Sequence, residues 1–104
     1  MARIALLCPD LLFGSKLQGA LSAAGHDLVA PDDGAELLVV DLTADPDEQI
    51  ERSRSAGLPR LGFYSHVEQD VRTRAEQAGF ERVVPRSRMA REPAALVEAM
   101  LGAG

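Results

Sequence analysis

Apolar runs and helix-spaced apolar stripes alternate along the chain. Ile4 to Cys8 is an apolar run of strand length. Pro9 and Asp10 open a helix with Phe13, Leu17, Ala20, Leu21 and Ala24 on one face, and Ala24-Gly25 closes it. His26 to Ala30 reads as a short second strand, and Leu37 to Leu42 as a third, wholly apolar until Asp41. Asp45-Pro46-Asp47-Glu48 predicts a helix start, with Asp45 as cap, proline at the first turn and Glu48 at capping-box spacing. That helix has a thin apolar face, Ile50 and Ala56, and should be well exposed. Leu61 to Tyr64 is a fourth strand, and Val67, Val71, Ala75 and Ala78 are the stripe of the next helix. Phe80 to Val84 is a fifth strand. A last helix begins near Pro93, with Leu96, Val97, Met100 and Leu101 as its core face and a separate turn over Ser87 to Arg91 before it.

Ala24-Gly25, Ala56-Gly57 and Ala78-Gly79 each place a glycine after a helix and before a strand, where a left-handed residue ends the helix. Such alternation predicts an α/β fold in three layers, a mostly parallel five-stranded sheet between helices. One junction is irregular. Only Pro31 to Glu36 separate the second and third strands, whereas a parallel crossover usually holds a helix. The second helix is therefore expected to be shortened or absent.

With 104 residues there is room for one domain, 1–104. A net charge of −5 argues against nonspecific nucleic-acid binding, which needs a basic face. The single cysteine, Cys8, excludes an internal disulfide framework and suits a reducing compartment. The four apolar residues in a row before Cys8-Pro9, Ile4 to Leu7, are too few for a signal-peptide core, and no run approaches a membrane span. A cytoplasmic protein with no membrane or nucleic-acid partner is the expectation.

The run Leu37-Leu38-Val39-Val40-Asp41 delivers one carboxylate to the edge of the sheet, where α/β proteins place their ligands. On Val39-Val40-Asp41-Leu42 and Phe63-Tyr64-Ser65-His66, the chain resembles the receiver domain of bacterial response regulators over nearly its whole length. The resemblance implies a flavodoxin-like strand order 2-1-3-4-5, Asp41 as the phosphoacceptor position and Ser65 as a phosphoryl-oxygen ligand. Receivers also carry two adjacent acids after the first strand to hold magnesium. Here Cys8-Pro9 stand there and Asp10 comes one place late. In place of the family's lysine-proline after the fifth strand stands Pro85-Arg86, and its aromatic position falls at Arg82 or Val83.

These departures bear on the chemistry. Phosphoryl transfer needs metal and cationic groups to neutralise developing charge, and magnesium needs hard oxygen ligands. Arg86 is no simple substitute for a compact ammonium. The expectation is a degenerate, pseudo-receiver module, not an enzyme and not phosphorylated. It would act in bacterial signalling through a protein partner or a homodimer. By analogy its docking face is the family's fourth helix, fifth strand and last helix, near Val83, Met89, Leu96 and Met100. No metal site is expected, and magnesium enters only if Asp10 and Asp41 share it.

Other readings stand beside this one. A phosphorylatable receiver would use Asp41. A cysteine between a first strand and a helix start is also similar to the phosphocysteine subunits of sugar phosphotransferase systems, where Cys8 would be the nucleophile. The loop Pro9 to Ser15 is ill-suited to it, with a missing N–H at Pro9, a charge at Asp10 and bulk at Leu11 to Phe13. A small ligand in the crevice between the first and third strand ends would meet Cys8, Asp10, Asp41 and Ser65. No glycine-rich dinucleotide motif follows the first strand. The plain alternatives are an inert buried Cys8, an Asp41 that satisfies donors of the following turn, a Ser65 that caps the next helix, and His26 and His66 at the surface. Arg86, Arg88 and Arg91 form either a solvated face or a holder of phosphate or carboxylate groups.

Overall fold

The computed structural model describes residues 2–102; positions 1, 103 and 104 of the expected domain lie outside the described residues. The elements are β1 (Arg3–Leu7), α1 (Leu11–Ala23), β2 (Asp27–Leu28), β3 (Leu37–Asp41), α2 (Pro46–Arg54), β4 (Arg60–Tyr64), α3 (Gln69–Gln77), β5 (Arg82–Pro85), α4 (Arg86–Arg91) and α5 (Pro93–Gly102). All strand pairs are parallel, in the order β2-β1-β3-β4-β5.

Alternation along the strands sends side chains to two cores. Ile4, Leu37, Val39, Leu61, Phe63 and Val84 meet α1, α4 and α5 through Phe13, Leu17, Met89, Leu96 and Val97. Ala5, Leu38, Val40, Leu42, Tyr64 and Val83 meet α2 and α3 through Ile50, Val71 and Ala75. β3 and β4 are buried from end to end, as strands between two helical layers must be. The glycines after α1, α2 and α3 all have positive φ, as their position after each helix requires.

The β2–β3 crossover holds no helix, and residues 29–36 suffice without one. Leu28 and Leu37 both pair with Ile4, so the two ends lie only about 10 Å apart across β1, against about 27 Å of extended reach. Glu36 clamps the returning chain to β1, its backbone N–H donating to the Arg3 carbonyl while its carboxylate accepts from the Arg3 N–H. Gly34 sits at φ 77° with the Arg3 guanidinium packed where a Cβ would be.

Several local expectations give way. β2 is two residues long, not His26 to Ala30. His26 is buried rather than at the surface: its Nδ1 accepts from the Ala2 N–H, and its Nε2 faces the Glu98 carboxylate at 3.1 Å. Val67 is exposed instead of heading a buried stripe, because a turn from Ser65 to Glu68 precedes α3. Asp45 stands at the start of α2 with φ 49°, and its side chain makes no capping bond. The separate turn expected over Ser87 to Arg91 is present, as the short helix Arg86–Arg91.

The buried face of α2 is polar. Gln49 and Ser53 lie under it with Ile50, and the buried Arg60 explains Ser53. The Arg60 guanidinium donates to Ser53 Oγ and to the Ala78 carbonyl at the end of α3, and lies 4.3 Å from the Phe80 ring centroid. Its backbone N–H donates to Glu81. Burial pulls the Arg60 pKa below the ordinary arginine value.

Candidate functional site

β3 ends at Asp41, which stands at the carboxyl edge of the sheet, beside Phe63 of β4 and one residue beyond the Leu7–Val40 pair. The residue is 3% exposed. Oδ1 accepts from the Thr43 N–H at 2.8 Å and from the Thr43 hydroxyl at 2.6 Å. This is the local turn that an Asp two residues before a donor favours. Oδ2 accepts from the Cys8 thiol at 3.4 Å. Both carboxylate oxygens are thus engaged by the chain itself.

The thiol of Cys8 also lies 3.5 Å from the Asp10 carbonyl. Burial first, and then the Asp41 charge, push its pKa from 9.0 up to about 12. A thiol held that firmly is a poor nucleophile near neutral pH, which opposes the phosphocysteine reading.

Asp10 is the cap of α1. Its Oδ1 accepts from the N–H groups of Leu12 and Phe13, and its Oδ2 lies 3.8 Å from Arg86. Arg86 is stacked on Phe13, 4.0 Å from the ring centroid, and Phe13 leans on Phe63 at 5.1 Å. Of the three arginines read as a basic cluster, Arg86 is thus bound to Asp10 and Arg88 to Glu92.

Ser65 lies past the end of β4, in a cleft of about 510 Å³ with Thr43, His66, Glu68, Arg86 and Ser87. It is not the cap of the next helix; Glu68 holds that position, and Ser65 contributes its carbonyl to the intervening turn. So Cys8, Asp10, Asp41, Ser65 and Arg86 all reach one edge, but in two groups. The crevice between β1 and β3 is taken up by the Cys8–Asp41 contact, and open space lies one strand along, between the ends of β3, β4 and β5. Sequence reasoning missed Thr43 and Glu68. Thr43 was visible as the second residue after Asp41; nothing local marked Glu68.

Solved structures share this architecture, among them the following three. A response regulator receiver protein from Burkholderia phymatum superposes with a TM-score of 0.82 at 17% identity, over 98% of this chain and 96% of its own. A two-component response regulator from Clostridium difficile gives 0.80 at 16%, over 97% and 96%. A response regulator from Thermotoga maritima gives 0.80 at 11%, over 98% of each chain. The fold is that of a receiver domain. No family model and no curated protein matches the sequence.

Set on the receiver fold, this edge does not fit a magnesium ion. Asp10 is spent on the cap and on Arg86, and Asp41 on Thr43 and Cys8. Among the described residues no three His, Cys, Asp or Glu side chains are grouped to hold a metal. The expected docking face corresponds here to α3, β5 and α5. Val83 is buried in the core under α2 and α3, Met89 and Leu96 in the core under α1, α4 and α5, and Met100 is half-buried against the latter. No helix is long and apolar enough to cross a membrane, among the described residues.

Proposed function

We propose that this receiver-like chain is a binding module of bacterial cytoplasmic signalling that works through a protein partner and does not take up a phosphoryl group. One observation carries the reading: Asp41 has no free oxygen. Thr43 donates twice to Oδ1 and Cys8 once to Oδ2, and among the described residues no three His, Cys, Asp or Glu side chains are grouped to recruit a metal. An attacking carboxylate would have to break these bonds, with no cation beside it to offset the charge that develops on the phosphoryl oxygens. Arg86, in the adjoining cleft, is turned to Asp10 and Phe13. The signalling role is taken from the response regulators that share the fold.

The test is incubation with magnesium and acetyl phosphate or beryllofluoride, followed by intact mass and ¹⁵N spectra, beside Asp41→Asn and Cys8→Ser. The reading expects no change in any variant. A mass gain lost only in Asp41→Asn overturns it in favour of a phosphorylatable receiver, and one lost only in Cys8→Ser favours phosphocysteine chemistry.

A further inference from the structure

The rim around the cleft carries features that Asp41 does not explain. Among the described residues, the exposed large apolar side chains are Leu11, Leu12 and Val67, at 82%, 87% and 74% exposure. All three lie in connections at the carboxyl edge: Leu11 and Leu12 open α1 after β1, and Val67 follows β4. Only β3 separates β1 from β4, so these residues spring from strands about 10 Å apart, on either side of Asp41. Single exposed apolar side chains are ordinary, but a set gathered around one cleft marks an interaction surface.

The charge of this edge is one-sided. Among the residues that line the cleft, Glu68 is the acid and Arg86 the permanent cation, and Arg86 is already paired with Asp10. The chain as a whole carries a net charge of −5. The cleft is rich in acceptors: the Glu68 carboxylate and the hydroxyl oxygens of Ser65, Ser87 and Thr43. The Thr43 hydroxyl spends its proton on Asp41, so toward the cleft it can only accept. An anion would meet the Glu68 carboxylate; an ammonium or guanidinium, all donors, finds partners. A second copy of this chain would bring a like-charged edge against this one.

We infer that the carboxyl edge is a docking surface for a polypeptide segment bearing a lysine or arginine flanked by apolar side chains. The cation enters the cleft beside Glu68, and its apolar neighbours cover Leu11 and Leu12 on one side and Val67 on the other. This rests on the binding-module reading above and supplies the chemistry of its partner. Apolar contact gives most of the affinity; the charge gives orientation and a salt-dependent association rate.

The test is titration of the ¹⁵N-labelled chain with a short amidated peptide of alternating leucine and lysine, and with its leucine–glutamate counterpart. The lysine peptide is expected to shift the amides of Leu11, Leu12, Thr43, Ser65 to Glu68 and Ser87, and the glutamate peptide none. Leu12→Ser with Val67→Ser should weaken binding about tenfold, and Glu68→Lys several-fold. All three positions are exposed, so unchanged spectra elsewhere certify the fold. No binding at millimolar peptide, shifts centred on α3, β5 and α5, or variants that bind like the parent each overturn the surface. Those outcomes leave the binding-module reading standing; only phosphoryl uptake by Asp41 or Cys8 removes it.

Discussion

The Cys8 thiol donates to the Asp41 carboxylate at 3.4 Å, so the residue best suited to be a nucleophile and the residue best suited to be a phosphoacceptor restrain each other. Burial and the neighbouring carboxylate hold the thiol neutral, with a pKa near 12 against an ordinary 9.0. At pH 8 its thiolate fraction is about a thousandth of that of a free cysteine. Iodoacetamide should therefore label Cys8 at least a hundredfold more slowly in the folded chain than in urea. Asp41→Asn should speed labelling, since it removes the second-largest cause of the shift. Equal rates folded and unfolded would contradict the hydrogen bond.

The same shift has a sign for stability. The unfolded chain loses this proton near pH 9 and the folded chain only near pH 12. Between those values the folded state holds more protons, so stability falls as pH rises through the window. The contribution is whole below pH 9. Urea midpoints of Cys8→Ala should fall less steeply from pH 9 to 11 than those of the parent.

Arg60 ties α2 to the end of α3 by donating to Ser53 and to the Ala78 carbonyl over the Phe80 ring. Lysine keeps the charge but loses the fork that makes two bonds in fixed directions. Arg60→Lys should lower stability by about 2 kcal/mol, measured by urea denaturation. A loss below about 0.5 kcal/mol would mean that solvent serves these groups as well.

Gln49 is buried under α2 with its Oε1 unpartnered. Gln49→Met keeps the volume and removes an unsatisfied acceptor, so the variant should gain about 1 kcal/mol. A loss in the same melt would point to a partner for that oxygen.

Gly62 lies in β4 where a Cβ would meet Leu42 Cδ1 at 2.8 Å and the Phe80 ring at 3.0 Å. Gly62→Ala should cost about 1–3 kcal/mol through overpacking of that core. A neutral result would show that Leu42 can change rotamer freely.

The strand order, the glycines that close the helices and the missing second helix were legible, though not the length of β2, because apolar period and turn chemistry act locally. That Cys8, Asp10, Asp41, Ser65 and Arg86 stand at strand ends was legible too, but their division into two groups was not. What was hidden depends on tertiary burial of polar groups. Arg60 and His26 look like surface residues in sequence, and only the elements that close over them supply their partners. Val67 misled for a different reason: it keeps helical spacing with Val71, but the turn from Ser65 to Glu68 sets it outside the helix.

The two residue pairs that join β2 to β1 have a dynamic consequence. An edge held by so few backbone bonds, and followed by a helix-free crossover, separates from the sheet at low free energy while the centre stays closed. Amides of Asp27 and Val29 should exchange with solvent by local fraying, and those of β3 only when the whole molecule unfolds. The corner built with the least chain is where this molecule first comes apart.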